Sequence, residues 1–234
     1  MKRSKWMSRL FILPSTLLVI CGSLTADTAK ERLAESATVL SEIMKAPDKG
    51  IPQDLIDQAY CAVIVPGVKK GAFIVGAKYG KGFLICRNAE HGKWGAPAGI
   101  RIEGGSFGWQ VGGSNSDVIM LVMNAEGKRS LLQSEFTLGG SAGVAGGPVG
   151  RSSSARTDAR MDAKILTWSR SHGVFAGLAL NGATLRDDED ANRELYGKKV
   201  TNREIVNGEV TPPDAAEPLI TELNKYSPAE MKGS

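Results

Sequence analysis

The sequence predicts an α+β protein, in which a curled antiparallel β-sheet or partly closed barrel of about seven to nine strands is flanked by N- and C-terminal helices. Short apolar or alternating runs, typical of strands, follow one another between residues 61 and 180. Glycine-rich turns separate these runs, and no long helical pattern does, which disfavours a doubly wound parallel sheet. Helical periodicity is confined to the two ends. The 234 residues, 42% of them hydrophobic, suit one domain.

The first 26 residues have the layout of a secretory signal peptide. A basic start precedes a 12-residue apolar segment, Leu10–Cys21, which is too short for a comfortable transmembrane span. We expect cleavage after Ala26, which leaves residues 27–234 as one exported domain in the periplasm or cell envelope. A lipoprotein signal with Cys21 lipidated is the alternative, but Ile20 is bulky where a small residue is expected. The basic residues of the segment are Lys2, Arg3, Lys5 and Arg9.

An amphipathic helix is predicted over Asp27–Lys45. Thr28 and Glu31 have the spacing of a capping box, and Pro47 ends the pattern. Such a helix either covers a sheet or lies on a membrane surface. A shorter helix is expected over Pro52–Tyr60. The apolar stripe of the first helix includes Leu33, Ala37, Leu40, Ile43 and Met44.

The predicted strands begin at Cys61, where the apolar period changes from helical to β. A hairpin turn is expected at Lys78–Gly82, and Asn124–Gly127 is expected to end the strongest strand candidate. Short helices are predicted for the acidic tail, at Asp190–Tyr196, Asn202–Val206 and Asp214–Lys225. The predicted strands are Cys61–Val65, Ala72–Ala77, Phe83–Cys86, Ile100–Glu103, Phe107–Val111, Asp117–Met123, Ile165–Ser169 and Val174–Leu180.

A glycine-rich run, Leu138–Arg151, holds six glycines. Such runs can present backbone N–H groups to a phosphate. Its end, Gly150-Arg151-Ser152, imitates a nucleotide-binding loop, but arginine replaces the lysine and Ala145 stands where the first glycine is required. Nucleotide hydrolysis is therefore disfavoured. The strand-like flanks indicate a tight crossing of the sheet, with Arg151 as the residue available to an anion.

Charge is unevenly distributed along the chain. The 29 basic residues outnumber the 25 acidic ones, but residues 27–234 hold 25 of each, so nothing indicates a nucleic-acid partner. Residues 60–186 carry 15 Lys and Arg against 7 Asp and Glu, between acidic ends. A basic middle indicates an anionic ligand or surface, although solvated surface charge is an equally good explanation.

The cysteines and histidines predict neither a metal site nor a cofactor. After signal cleavage Cys61 and Cys86 remain, each inside an apolar run, and either burial as free thiols or a disulfide is compatible with the sequence. His91 and His172 lie in different elements, without further ligands at zinc spacing.

Two serines, Ser106 and Ser141, match the G-x-S-x-G pattern of esterases. A nucleophile elbow needs a helix directly after the serine, and neither segment has one. A serine hydrolase using His172 is therefore only the third hypothesis, and we expect no catalytic residues.

Basic residues in neighbouring predicted hairpins are the candidate binding site. Arginine recognises phosphate through two parallel hydrogen bonds, and lysine acts as a point charge. The candidates for headgroup contact are Lys69, Lys70, Lys78, Lys81, Arg151, Arg156 and Arg170.

An ordered set of motifs, spread over residues 30–225, resembles the SYLF domain family. It includes Ala62–Pro66, Gly71–Gly76, Trp94–Pro97, Gly104–Gly112, Ser116–Val118, Leu121–Asn124, Ala145–Arg151 and Ser169–Gly177. The resemblance implies a domain that binds anionic phospholipid headgroups, as phosphoinositides are bound in eukaryotic members. It also implies that the first helix contributes to membrane binding, here through Leu33, Leu40 and Met44.

We therefore expect a non-catalytic, exported protein that binds anionic phospholipids or a membrane surface. Some family members carry an SH3 domain and act on actin. With an export signal and no SH3 segment recognised, actin is not expected as a partner. The alternative is an envelope structural protein or a protein-interaction module.

Overall fold

The computed structural model describes residues 27–46, 50–72, 75–88, 92–107, 112–138, 144–146, 165–171, 174–175 and 182–229. Within these residues, nine strands form one sheet in the order β5-β9-β3-β2-β1-β4-β7-β6, with β8 also paired to β7. Each pair is antiparallel except β6 with β7. The strands are β1 Cys61–Ala72, β2 Val75–Cys86, β3 Ala98–Phe107, β4 Gly112–Val122, β5 Glu135–Thr137, β6 Val144–Gly146, β7 Ile165–Ser171, β8 Val174–Phe175 and β9 Thr184–Asp187.

Helices precede and follow the sheet, which confirms the predicted α+β class. The sheet stays open, because no pairing joins β5 to β6 among the described residues. None of the helices in those residues is long and apolar enough to cross a membrane. The helices are α1 Ala29–Lys45, α2 Gln53–Gln58, α3 Ala125–Leu131, α4 Glu189–Tyr196, α5 Asn202–Val206 and α6 Glu217–Tyr226, with a 3-10 turn at Asp214–Ala216.

Helix α1 begins with the predicted capping box. The Glu31 backbone N–H donates to Thr28 Oγ1 at 3.2 Å, and the Thr28 N–H donates to Glu31 Oε2 at 2.8 Å. These bonds satisfy two of the N–H groups that a helix start leaves without partners. The apolar stripe of α1 is buried against the sheet and α6.

The two faces of the sheet carry separate cores. The face covered by α1 and α6, here called the helix face, presents Ile64, Phe83 and Ile119. The opposite face buries Leu84 and Met120 among side chains that include those of β9, α3 and α5. Successive side chains of a strand point to alternate faces, so each central strand contributes to both cores.

A β-bulge interrupts β1 at Pro66-Gly67. Ile64 pairs with Phe83 of β2, but Lys69 pairs with Tyr79, so five steps along β1 match four along β2. Gly67 adopts φ +59°, a conformation that favours glycine. Proline is tolerated in a central strand at a bulge, because a bulge leaves one residue outside the hydrogen-bond ladder.

A disulfide joins the first two strands. Cys61 and Cys86 are direct partners in the β1–β2 register, and both side chains are buried. The sequence left this pairing open because it could not show that the two residues lie opposite each other.

The C-terminal elements are fixed by buried polar side chains. Asn192 Oδ1 accepts from the Gly99 N–H at 2.7 Å, and its amide donates to Asn202 Oδ1 at 2.7 Å. At the end of α6, the Ser227 carbonyl accepts from Trp94 Nε1 at 3.0 Å, and its hydroxyl bonds the Arg87 guanidinium. Since such groups are costly to bury without partners, these bonds tie the tail to the sheet.

Several predicted boundaries are wrong. The hairpin turn expected at Lys78–Gly82 lies inside β2, because glycine there permits close strand packing rather than a turn. The segment after Asn124 forms α3, which the Asn124 side chain caps by accepting from the Gly127 N–H at 2.8 Å. Strand β9 was not predicted. Of the glycine-rich run, the structure describes Leu138 and Val144–Gly146, the latter as β6.

Candidate functional site

The halves of the central strands beyond the bulge are polar and glycine-rich, in contrast to the apolar halves beside the disulfide. We call this region the distal sheet; it comprises residues 68–72 of β1, 76–82 of β2 and 112–117 of β4. It contains all four lysines predicted from β1 and β2. A bulge next to a polar surface is a common feature of functional sites.

The four predicted lysines do not form one cluster. Lys69 lies directly opposite Tyr79, and Lys70 lies directly opposite Lys78. Counting by alternation from Phe83 on the helix face and Leu84 on the opposite face, Lys81 and Lys69 lie on the helix face. Lys70 and Lys78 lie on the opposite face. The structure therefore divides the predicted site into two pairs.

The pair on the opposite face brings two like charges together. Lys78 is buried, with 5% of its surface exposed, whereas Lys70 is half-buried. Burial lowers the pKa of Lys78, and the charge of Lys70 lowers it further. Like charges directly opposite each other destabilise a strand pair.

The pair on the helix face lies in a cleft of about 600 Å³. The start of α1, the bulge, β2 and α4 form its walls, and we call it the helix-face cleft. Lys81 Nζ lies 2.8 Å from Oδ2 of buried Asp188. The Ala29 N–H donates to Glu194 Oε1 at 2.9 Å, which fixes α1 to α4. Lys69 is exposed at the edge of the cleft.

Carboxylates are numerous in this cleft. Asp27, Glu35, Asp190 and Glu194 all line it. Partial burial raises the pKa of Glu35, and the nearby charges of Asp27 and Asp117 raise it further, against a smaller effect of Arg32. The cleft therefore combines cationic and anionic groups and is not a simple basic pocket.

Arg170, a predicted headgroup contact, is engaged within the protein. Its guanidinium lies 3.0 Å from Asp117 Oδ2 and also pairs with Glu42 of α1. Asp117 Oδ1 accepts from the Gly67 N–H at 3.1 Å. Arg170 thus links α1, β4 and the bulge, and only 16% of its side chain is exposed. As placed, it is a structural residue.

The three predicted membrane contacts are buried. Leu33 and Leu40 have no exposed surface and Met44 has 9%. Their apolar stripe covers the sheet, the other role open to an amphipathic helix. Membrane contact by these side chains would require α1 to leave the sheet, and it stays a prediction.

The remaining candidates have different positions. Arg151, Arg156, Ser141 and His172 lie outside the described residues. Ser106 lies in β3, and β4 starts too soon after it for a helix, which removes the context of a nucleophile elbow. Among the described residues, no group of three or more His, Cys, Asp and Glu side chains is arranged to hold a metal ion.

Sequence reasoning missed Asp117 and Tyr79. Asp117 holds the bulge, and Tyr79 is 46% exposed in the cleft. Pro66-Gly67 inside an apolar run was a signal for the bulge. No sequence signal distinguished Tyr79 from a core aromatic residue.

The chain matches a protein family described as Ysc84, Las17-binding protein actin regulator, over residues 103–226, more than half its length. This chain belongs to the SYLF (Ysc84) family. The matched region of this SYLF protein begins inside β3 and includes β4 to β9, α3 and the C-terminal helices.

Relatives of this SYLF protein are named for binding. It is 32% identical over 206 residues to LAS seventeen-binding protein 3 of Saccharomyces cerevisiae, covering 86% of this chain and 44% of that protein. It is 31% identical over 204 residues to SH3 domain-containing YSC84-like protein 1 of Mus musculus, covering 85% and 59%. The chain thus spans about half the length of these relatives. The family description points to actin regulation, against our expectation of no actin partner, which stays a prediction.

Proposed function

We propose that this SYLF domain is a non-catalytic, exported protein that binds anionic phospholipid headgroups at a membrane surface. The observation that carries the proposal is the direct opposition of Lys70 and Lys78 on one face of the distal sheet. Two ammonium groups on one face can both donate charge-assisted hydrogen bonds to an anionic headgroup. Arg151 and Arg156 are further candidate contacts.

Two features support export. The first 26 residues have the pattern of a signal peptide, and Cys61 and Cys86 form a disulfide. Disulfides persist in oxidising compartments such as the periplasm and are rare in the cytosol.

Co-sedimentation with vesicles tests headgroup binding. The exported protein is mixed with vesicles of increasing anionic lipid content at low and physiological salt. We expect binding to rise with anionic lipid and to weaken with salt, because charges are screened within about 8 Å at 0.15 M salt. Lys70→Glu and Arg151→Glu should each weaken binding several-fold, whereas Lys199→Glu, on the exposed α4–α5 connection, should have little effect. Equal binding by all variants would exclude the electrostatic mechanism.

A protein-interaction module is the second candidate, because relatives are named for binding Las17. Cross-linking in intact cells, followed by purification and mass spectrometry, tests it. One stoichiometric partner, retained in the Lys70→Glu variant together with failed vesicle binding, would favour this alternative over lipid binding.

A further inference from the structure

Among the described residues that line the helix-face cleft, one cation is available to a ligand. Of the three basic side chains there, Lys81 pairs with buried Asp188, and Arg32 Nη2 donates to the Asp27 carbonyl at 2.7 Å. Lys69 is exposed and forms no ion pair within the part of the chain that the structure describes. Its ammonium can therefore receive an anionic group.

Two carboxylates, those of Asp27 and Glu35, line the α1 side of the cleft. They are close enough for the charge of Asp27 to raise the pKa of Glu35. Signal cleavage after Ala26 would add one α-ammonium at Asp27, which would leave four carboxylates and four cations among the described lining residues. A ligand that carries both charges would keep this balance, and its cationic group would reduce the repulsion between Asp27 and Glu35.

An aromatic ring lies in the same cleft. Tyr79 is the one large hydrophobic side chain classed as exposed among the described residues. A tyrosine face attracts ammonium groups and covers apolar atoms of a ligand. A ligand bound beside Lys69 would cover this ring.

From these three features we infer that the helix-face cleft binds a small zwitterion, a molecule with an ammonium group and a phosphate or carboxylate a few bonds apart. The ammonium is held by Asp27, Glu35 and the Tyr79 ring, and the anion by Lys69. This site lies on the other face of the sheet from Lys70 and Lys78, and it does not depend on the headgroup binding proposed above.

Calorimetric titration of the exported protein tests the site. Phosphoethanolamine is the zwitterionic probe, and glycerol 3-phosphate, which lacks the ammonium, is the anionic one. We expect phosphoethanolamine to bind at least about tenfold more tightly, the factor expected from one charge-assisted contact. Equal affinities, or no binding of phosphoethanolamine in any form, would overturn the inference.

Matched variants locate the binding. Lys69→Ala and Glu35→Gln should each weaken phosphoethanolamine binding about fivefold or more, while Lys70→Ala, the next residue but on the other face, should not. Equal losses in Lys69→Ala and Lys70→Ala would contradict the assignment. Because Lys70→Glu is the variant that tests vesicle binding, the two proposals fail separately.

A second binding experiment tests whether the zwitterion is a soluble molecule or a lipid headgroup. Vesicles containing phosphatidylethanolamine in an uncharged galactolipid background present the same group on a lipid. Binding of the free probe alone indicates a soluble ligand, and binding of the vesicles alone indicates a lipid headgroup. Whichever binding is observed must be weakened in Glu35→Gln, and unchanged binding in that variant would overturn the inference.

Discussion

At the residue scale, electrostatic repulsion constrains some positions and steric crowding constrains others. Glu35 lies among other carboxylates, and Gly82 lies where no side chain fits. At Gly82 an added Cβ would lie 2.1 Å from the Ile64 carbonyl oxygen. At both positions, the neighbouring groups determine whether a substitution is expected to raise or lower the stability of the fold.

Glu35 should reduce stability at neutral pH. Its pKa in the folded chain lies above the ordinary value of 4.5, so the folded state favours the protonated form. Stability is therefore lost as pH rises from the ordinary pKa through the raised one. We expect Glu35→Gln to raise the urea midpoint at pH 7, with the gain shrinking as pH falls toward 4.5. The exposed Glu209→Gln is the control. A gain independent of pH would contradict the electrostatic cause.

Gly82 should tolerate no side chain. Its missing Cβ allows β2 to approach the β1 backbone before the bulge, and overpacking costs about 1–3 kcal/mol or more. Gly82→Ala should therefore lower the free energy of unfolding by about 1–3 kcal/mol. Gly71→Ala, with no heavy atom within 4 Å of the added Cβ, should change it by less than about 1 kcal/mol. Urea denaturation of both variants provides the comparison, and equal losses would exclude the steric argument.

At the element scale, covalent and ionic links reinforce the strand and helix pairings. The disulfide joins β1 to β2 at the apolar end of the pair, and Arg170 joins α1 to β4 on the helix face. Asp117, the β4 partner of Arg170, also holds the bulge by accepting from the Gly67 N–H. One ionic network therefore connects α1, β4 and the bulge.

Reducing the disulfide should destabilise the domain by about 2–4 kcal/mol, because it removes a constraint on the unfolded chain. Denaturation with and without reductant measures the loss. The Cys61→Ala/Cys86→Ala variant should be less stable than the oxidised protein, and its stability should not change when reductant is added. Free thiols detected by alkylation in the exported protein would contradict the pairing.

At the scale of the whole molecule, the sequence was sufficient for the class of fold but not for the arrangement of its surfaces. Apolar periodicity located α1, and the capping box at Thr28 placed its start correctly. Periodicity could not place the boundary between β1 and β2, because the glycines inside β2 have the composition of a turn. Nor could it assign Lys69 and Lys70 to faces, since one bulge residue alters the alternation.

The candidate site shows the same limit. The sequence singled out basic residues, and four of them do lie on neighbouring strands. Pairing partners from distant segments decided their roles, such as Asp117 and Glu42 for Arg170. Those contacts depend on pairing between distant segments, which composition and residue spacing do not predict.

The bulge at Pro66-Gly67 determines which face of the sheet each later residue of β1 occupies. If the strand ran regularly through both residues, Val68 and Lys70 would lie on the helix face and Lys69 on the other, by simple alternation. Deleting one of the two residues would remove the bulge but leave both lysines on their present faces, because four steps along β1 would then match four along β2. In this fold the bulge can therefore absorb a change in chain length without moving the binding groups from one side of the molecule to the other.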